Sequence, residues 1–382
     1  MSQQAFIGPG SLEHVKEILG SHQAKKILLV TGKKSYIESG AKDALDPYLE
    51  GSEVIRFSDF TPNPKLEDAQ AGISLIDEVQ PDIVIAIGGG SVIDMGKLIV
   101  ILSAQVEKNT EEIVLNQDLV RTKGLPFVAV PTTAGTGSEA THFAVVYIEN
   151  VKYSLAHDFI LPDYAIVDAL LTHKVPSPII ASCSMDALTQ AIESYWSVGS
   201  TEESKAYASR AIRMVLPVLK SLHGGDRRAK EIMAEAAYLA GKAINITKTT
   251  AAHAISYPIT TYFDVPHGHA VALLLGKFFV IHAETGEEDI TDKRGKAHLS
   301  EVMSDLFSMF GCDNAQDCCK QWYKTMDEIG LQTDLQIIGI KTDTDVQLIE
   351  SKISLERLNN NPVKVSPKML HDLLLVSWNS CS

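Results

Sequence analysis

Apolar positions in the first half of the chain come in short unbroken runs separated by amphipathic stretches. Residues 26–31 and 82–87 are nearly continuous aliphatic runs, 53–57 and 127–130 are shorter ones, and helical periodicity fills 43–50 and 65–78. Strands that lack apolar–polar alternation are buried on both faces. They need helices on both sides, so the pattern predicts an α/β, doubly wound, mainly parallel sheet. After about Ser177 strand-like runs become rare, and a 3.6-residue period takes over at 205–223, 226–244 and 297–309. The expected organisation is an α/β domain over 1–176 and an all-helical domain over 177–382, divided near Val175-Pro176-Ser177-Pro178. There is no internal repeat and no low-complexity segment.

Composition narrows the function classes. The 382 residues are 45% hydrophobic and 21% charged, as in an ordinary globular protein, and 34 basic against 48 acidic residues leave a net charge of −14. No run of four Lys/Arg occurs, which argues against nucleic acid or an anionic membrane as partner. No apolar stretch approaches bilayer length, and the N-terminus has neither the basic nor the apolar region of a signal peptide. The cysteines, Cys183, Cys312, Cys318, Cys319 and Cys381, form no CxxC pair, so a structural zinc site or redox motif is not expected. A cytoplasmic location follows as the expectation.

Two segments carry phosphate-binding character. Gly88-Gly89-Gly90-Ser91 stands between an apolar strand and a helical pattern, where backbone N–H groups and a helix N-terminus favour a pyrophosphate. The hydroxyl-rich 131–139, Pro-Thr-Thr-Ala-Gly-Thr-Gly-Ser-Glu, follows another strand and suits a polar ligand better than a core. In the helical half, Asp186 and Gln190 are one turn apart, with Glu193 further along. His253 lies in a helix of small residues, and His267 in a Pro/Gly-bracketed turn that opens another helix. One carboxylate and two imidazoles suit a divalent ion such as Zn²⁺ or Fe²⁺ with a position left open for a substrate oxygen.

Together GGGSVID (88–94), PTTAGTGSE (131–139), LPDYAIVDA (161–169), MDALTQAIESY (185–195) and HAISYPITTYFDVPHG (253–268) resemble the iron-containing, group III alcohol dehydrogenase family, from the Phe6-Ile7-Gly8-Pro9-Gly10 opening onward. The resemblance implies a dehydroquinate synthase-like fold with the active site in the cleft between a nucleotide-binding domain and a helical domain. It implies NAD or NADP and a divalent metal, Zn or Fe, as cofactors, and a homodimer. By the same resemblance Gly89, Gly90 and Ser91 hold the pyrophosphate, and Thr132, Thr133, Thr136 and Ser138 line the ribose and nicotinamide. Asp94 and Lys152 are added as cofactor contacts. Asp186, His253 and His267 match the metal ligands.

Three positions depart from the family pattern. Gln190 stands where a fourth, histidine ligand is usual, which predicts a looser or more zinc-like site. Tyr257 stands where a second histidine usually follows His253; its phenol either orients the substrate or relays a proton, though unshifted it is a poor base at neutral pH, or it packs beside Pro258. After the first long strand, Gly32-Lys33-Lys34 lacks the carboxylate that would bind a ribose 2′-hydroxyl and offers ammonium groups to a 2′-phosphate, favouring NADP(H) or dual use.

The expected reaction is hydride transfer between nicotinamide and a primary alcohol or aldehyde, with Tyr257, His269 or water relaying the proton. Lys248, one turn before His253 and flanked by Thr247, Thr249 and Thr250, suits a small anionic substrate. In this respect the chain resembles phosphonoacetaldehyde reductases and oxidases of acidic octulosonate sugars, which the pattern does not separate. Two rivals remain at this level: a dehydroquinate synthase-type cyclase on the same fold, and a nucleotide-binding member without catalysis.

Overall fold

The computed structural model describes residues 3–106, 109–149, 151–353 and 355–375; Cys381 lies outside them. The chain divides into two compact units, Met1–Val175 and Pro176–Ser382.

The first unit contains β1 (Gln4–Ile7), β2 (Lys26–Thr31), β3 (Glu53–Phe57), β4 (Ile83–Gly88), β5 (Phe127–Pro131), a hairpin of β6 (Phe143–Ile148) and β7 (Val151–Ala156), and β8 (Tyr164–Val167). Six of these form one sheet in the order β1-β8-β5-β4-β2-β3, with every neighbouring pair parallel. Alternate residues of the central strands feed two cores. Leu28, Val30, Val84, Ala86 and Ala129 pack under the helices Leu66–Val79 and Gly90–Ser103. Ile27, Leu29, Ile83, Ile85, Ile87, Val128 and Val130 pack under the helix His14–Ser21 and the short helix Ala41–Leu45. This double coverage explains the unbroken apolar runs.

The second unit is helical, and among the described residues no strand follows β8. At its centre runs Ser177–Trp196, against which Glu202–Val215, Arg227–Thr247 and His267–Glu284 pack. From Ser184 to Trp196 this helix is buried all round, yet it carries Ser184, Asp186, Thr189, Gln190, Glu193 and Ser194. Buried polar groups need partners, so so many on one buried helix mark it as a site rather than plain core.

Two predicted helices differ in extent. The 43–50 helix is Ala41–Leu45 followed by a 3₁₀ turn, Asp46–Tyr48, because Pro47 cannot continue the hydrogen-bond ladder. The 205–223 helix begins earlier, at a Thr201 capping box, and Pro217 splits it into Glu202–Val215 and Leu219–His223. No helix among the described residues is long and apolar enough to cross a membrane.

Candidate cofactor pocket and metal centre

In the α/β unit, β4 delivers Gly89 in an extended conformation as the N-cap of Gly90–Ser103. The hydroxyl-rich segment lies directly alongside: Thr132 N donates to Gly88 O at 2.9 Å, and a Cβ on Gly90 would stand 2.7 Å from the Thr136 side chain. Only glycine permits that approach, so the strand–glycine turn and the Thr132–Thr136 loop form one rim with Ser91 and Thr133 partly exposed on it. A helix N-terminus beside four small or hydroxyl side chains fits a nucleotide pyrophosphate.

Asp94 and Ser138, expected to touch cofactor, are bonded to each other at 2.5 Å. Asp94 also accepts from Val145 N at 3.1 Å. Beneath them lies Lys97, which the sequence reading missed. Its buried ammonium donates to Ser138 Oγ (3.1 Å), Thr141 Oγ1 (2.9 Å) and Phe143 O (2.8 Å). Burial pushes Lys97 down to about 8 and the neighbouring Glu139 up to about 7. The cluster braces the loop from below. Lys152, on β7, lies within electrostatic reach of Asp94.

At the end of β2, Arg56 donates to Thr31 Oγ1 (2.7 Å), Gly32 O (2.8 Å) and Lys33 O (3.0 Å), fixing the turn that carries the two lysines. Lys33 pairs with Asp59 at 2.5 Å, and Lys33 and Lys34 are both exposed. Three cations therefore gather there, offset in part by one carboxylate.

In the helical unit, three helices bring Asp186, His253 and His267 together. One donor atom from each lies within 4.8 Å of the others. His253 Nε2 is 3.3 Å, and His267 Nε2 3.9 Å, from Asp186 Oδ1. His267 starts its helix immediately before Gly268, where an added Cβ would fall 2.0 Å from Ser182 O and 2.8 Å from Asp186 Cβ. The missing side chain is what lets the two helices close on each other and set His267 against Asp186.

Glu193, noted in the sequence only for its place on the helix, orients His253. It accepts from His253 Nδ1, from His253 N (3.2 Å) and from Thr250 Oγ1 (2.9 Å), while Thr250 Oγ1 accepts from Trp196 Nε1 at 3.0 Å. Nδ1 is held by one carboxylate and Nε2 is turned to another, the arrangement of carboxylate–histidine–metal sites, in which release of the Nε2 proton frees that nitrogen for an ion. Burial opposes a charge on His253, but Glu193 and Asp186 outweigh it and hold its pKa up to about 9. Burial likewise opposes ionisation of Asp186, and bonds from His253 and Gln190 with the nearby His267 hold it below the usual carboxylate range.

Gln190 bonds Asp186, and its Oε1 is buried with no hydrogen-bond partner. An orphaned buried carbonyl beside one carboxylate and two imidazoles fits a divalent ion. Asp186, His253 and His267 would hold it, with Gln190 Oε1 at hand as a weak neutral donor.

Tyr257 stacks on His267, ring centroids 5.7 Å apart at 22°. Burial raises its pKa, against the opposing field of Arg357 and a hydrogen bond with Thr249. His269 is tied by Nε2 to Gln332 O at 2.7 Å, and burial lowers its pKa. Lys248 caps Arg227–Thr247 with φ 60° and ψ 179°, a conformation normally reserved for glycine.

Comparison with known proteins gives a consistent picture. The family described as iron-containing alcohol dehydrogenase matches residues 2–169, and its C-terminal counterpart, Fe-containing alcohol dehydrogenase family, C-terminal, matches 180–378. The chain is 36% identical over 278 residues to long-chain-alcohol dehydrogenase 1 of Geobacillus thermodenitrificans, covering 71% of this chain and 70% of that protein. It is 31% identical to 1,3-propanediol dehydrogenase of Klebsiella pneumoniae, covering 94% of this chain and 93% of that one. Among solved structures, sulfoacetaldehyde reductase from Bifidobacterium kashiwanohense in complex with NAD⁺ superposes with a TM-score of 0.86 at 28% identity, covering 98% of each chain.

Proposed function

The chain belongs to the iron-containing alcohol dehydrogenase family and is an NAD(P)- and divalent metal-dependent oxidoreductase acting on CH–OH groups; from that premise we propose that its substrate is a small primary alcohol or aldehyde carrying an anionic group. The observation that carries the reading is Lys248. Its ammonium-bearing residue sits in the segment that leads into His253, in a backbone conformation that lysine adopts only when its surroundings impose it. A relative named as a sulfoacetaldehyde reductase, whose substrate carries a sulfonate, adds support. Phosphonoacetaldehyde and the terminal hydroxyl of a 3-deoxy-octulosonate both fall within this class.

The reaction is R–CH₂OH + NAD(P)⁺ ⇌ R–CHO + NAD(P)H + H⁺, with the hydride carried by the nicotinamide. Asp186, His253 and His267, aided by Gln190, would hold the metal, which when bound supplies Lewis-acid stabilisation of charge on the substrate oxygen. The remaining tasks belong to the chain. Gly89, Gly90 and Ser91 receive the pyrophosphate; Thr132, Thr133 and Thr136 line the ribose and nicotinamide, and the Asp94–Lys97–Ser138 cluster keeps that loop in place. Tyr257 Oη keeps its proton at neutral pH, because burial raises its pKa, and so serves the substrate as a hydrogen-bond donor rather than a base. Lys33, Lys34 and Arg56 favour a 2′-phosphate, hence NADP(H), with Asp59 leaving room for NAD(H).

Turnover followed by nicotinamide absorbance, using matched anionic and neutral alcohols and aldehydes with each coenzyme, tests the reading. kcat/KM is expected to be highest for an anionic member. Lys248→Ala should raise KM for that substrate on the order of 10-fold or more and much less for its neutral counterpart. A wild-type enzyme that turns over the neutral member of each pair equally well would sink the anionic reading.

A further inference from the structure

We propose that Lys248 and Arg357, brought into one structure by Asn360, form a receptor for a tetrahedral oxyanion, a phosphonate or sulfonate, on the substrate beside Tyr257. This rests on the anionic-substrate reading above and adds a second cation, a clamp and a head-group class to it.

Arg357 lies in the short helix Leu355–Leu358, which packs on the Ala251–Phe263 helix that carries His253 and Tyr257. Its side chain is part of a residue only 6% exposed, and its charge acts on the Tyr257 phenol. A guanidinium is a planar fork of donors, and that fork matches two oxygens of one group.

Asn360 joins this element to Lys248. Its backbone N donates to Arg357 O at 3.2 Å, while its side-chain Nδ2 donates to Thr247 O (2.6 Å) and Thr249 O (3.0 Å), gripping the chain on both sides of Lys248. Ser197 Oγ fixes the Asn360 amide by donating to Oδ1 at 2.9 Å, and Thr247 Oγ1 donates to Lys248 O at 2.7 Å. These bonds over-determine the glycine-like backbone of Lys248, which is the circumstance in which such strain persists. Thr249 bonds Tyr257, and Thr250 bonds Glu193. The strained residue is thus built into the same wall as the phenol and the carboxylate that orients His253. A point charge, a fork and a hydroxyl together offer donors for three oxygens around one atom, more than a planar carboxylate presents.

The test uses the full-length, metal-loaded protein with NADP⁺. Binding of methylphosphonate, methanesulfonate and acetate is measured by calorimetry, and kcat and KM are measured for matched phosphonate, sulfonate, carboxylate and neutral aldehydes in wild type, R357M, R357K and K248G. The expected order is either tetrahedral anion above acetate, with R357M and K248G each weakening the tetrahedral anions on the order of 10–100-fold and R357K falling between. In turnover the same variants should raise KM for the tetrahedral substrates far more than for the neutral one. Should R357M not fold, K248G decides alone, because glycine suits the φ of 60° and removes the ammonium with its side chain without straining the backbone.

If wild type prefers anions but R357M and K248G bind methylphosphonate as wild type does, the receptor is wrong and the anionic reading stands. If acetate binds as tightly as the tetrahedral anions, the head-group assignment fails. If R357M lowers kcat equally for neutral and anionic substrates and shifts the pH profile, Arg357 acts through Tyr257 instead, which also overturns the receptor. A wild type indifferent to substrate charge overturns both proposals.

Discussion

Glu193 is fully buried and spends both oxygens on other groups of the site. It is placed to set the His253 tautomer, so Glu193→Gln, which can present an N–H where an acceptor is needed, should weaken metal binding about 10–100-fold. Competition against a chelator measures this directly, without turnover; unchanged affinity would reduce Glu193 to a packing role. At this scale the sequence was readable where chemistry and local spacing coincide. Asp186 and Gln190 share a helix face, and the His253 and His267 segments carry their own punctuation. Glu193, Lys97, Arg357 and Asn360 were not readable as site residues, because their importance lies in contacts across the fold. Lys97 left a faint signal, an ammonium running straight into the aliphatic stretch Leu98–Leu102 of its helix. Asn360 left none, since its side-chain partners lie more than a hundred positions away.

Elements meet at Gly268. The His267–Glu284 helix approaches Ser177–Trp196 closely enough that a methyl group would collide with the Ser182 carbonyl. Gly268→Ala must therefore push the helices apart, at a cost of about 1–3 kcal/mol or more. The displacement falls on the turn that carries His267, so thermal stability and metal stoichiometry should decline together; calorimetric melting and elemental analysis of the same preparation check the pair. The helices and parallel strands followed from apolar periodicity because burial on one or two faces writes itself into sequence. Their breaks at Pro47 and Pro217 were overridden in that reading by periodicity continuing past each proline. The β6–β7 hairpin escaped it too, although β6 alternates regularly between buried and half-buried positions.

For the whole molecule, the acidic balance and the local cations are separate matters. A net charge of −14 coexists with Lys33, Lys34 and Arg56 at one end of the sheet and with Lys248 and Arg357 beside the elements that carry His253 and Tyr257. Global stability has its own titration. His282 is fully buried against Trp196 and Phe278, and burial pushes its pKa down to about 3. The unfolded chain takes up that proton below about pH 6.5 while the native protein does not. Stability is therefore retained above pH 6.5 and lost as pH falls, by about 2 kcal/mol between pH 7 and pH 5 from this residue. Urea unfolding at the two pH values should show the loss, and His282→Leu should remove that share of it.

The Asn360 clamp also has a consequence in time. Roughly ninety residues separate His267 from Asn360, and a ribosome adding about 5–20 residues per second needs several seconds to cross that interval. Asp186, His253 and His267 are all synthesised before the segment that grips the backbone on both sides of Lys248. A chain made only as far as His267 thus already carries the three candidate ligands, whereas the backbone bonds that hold Lys248 wait for Asn360.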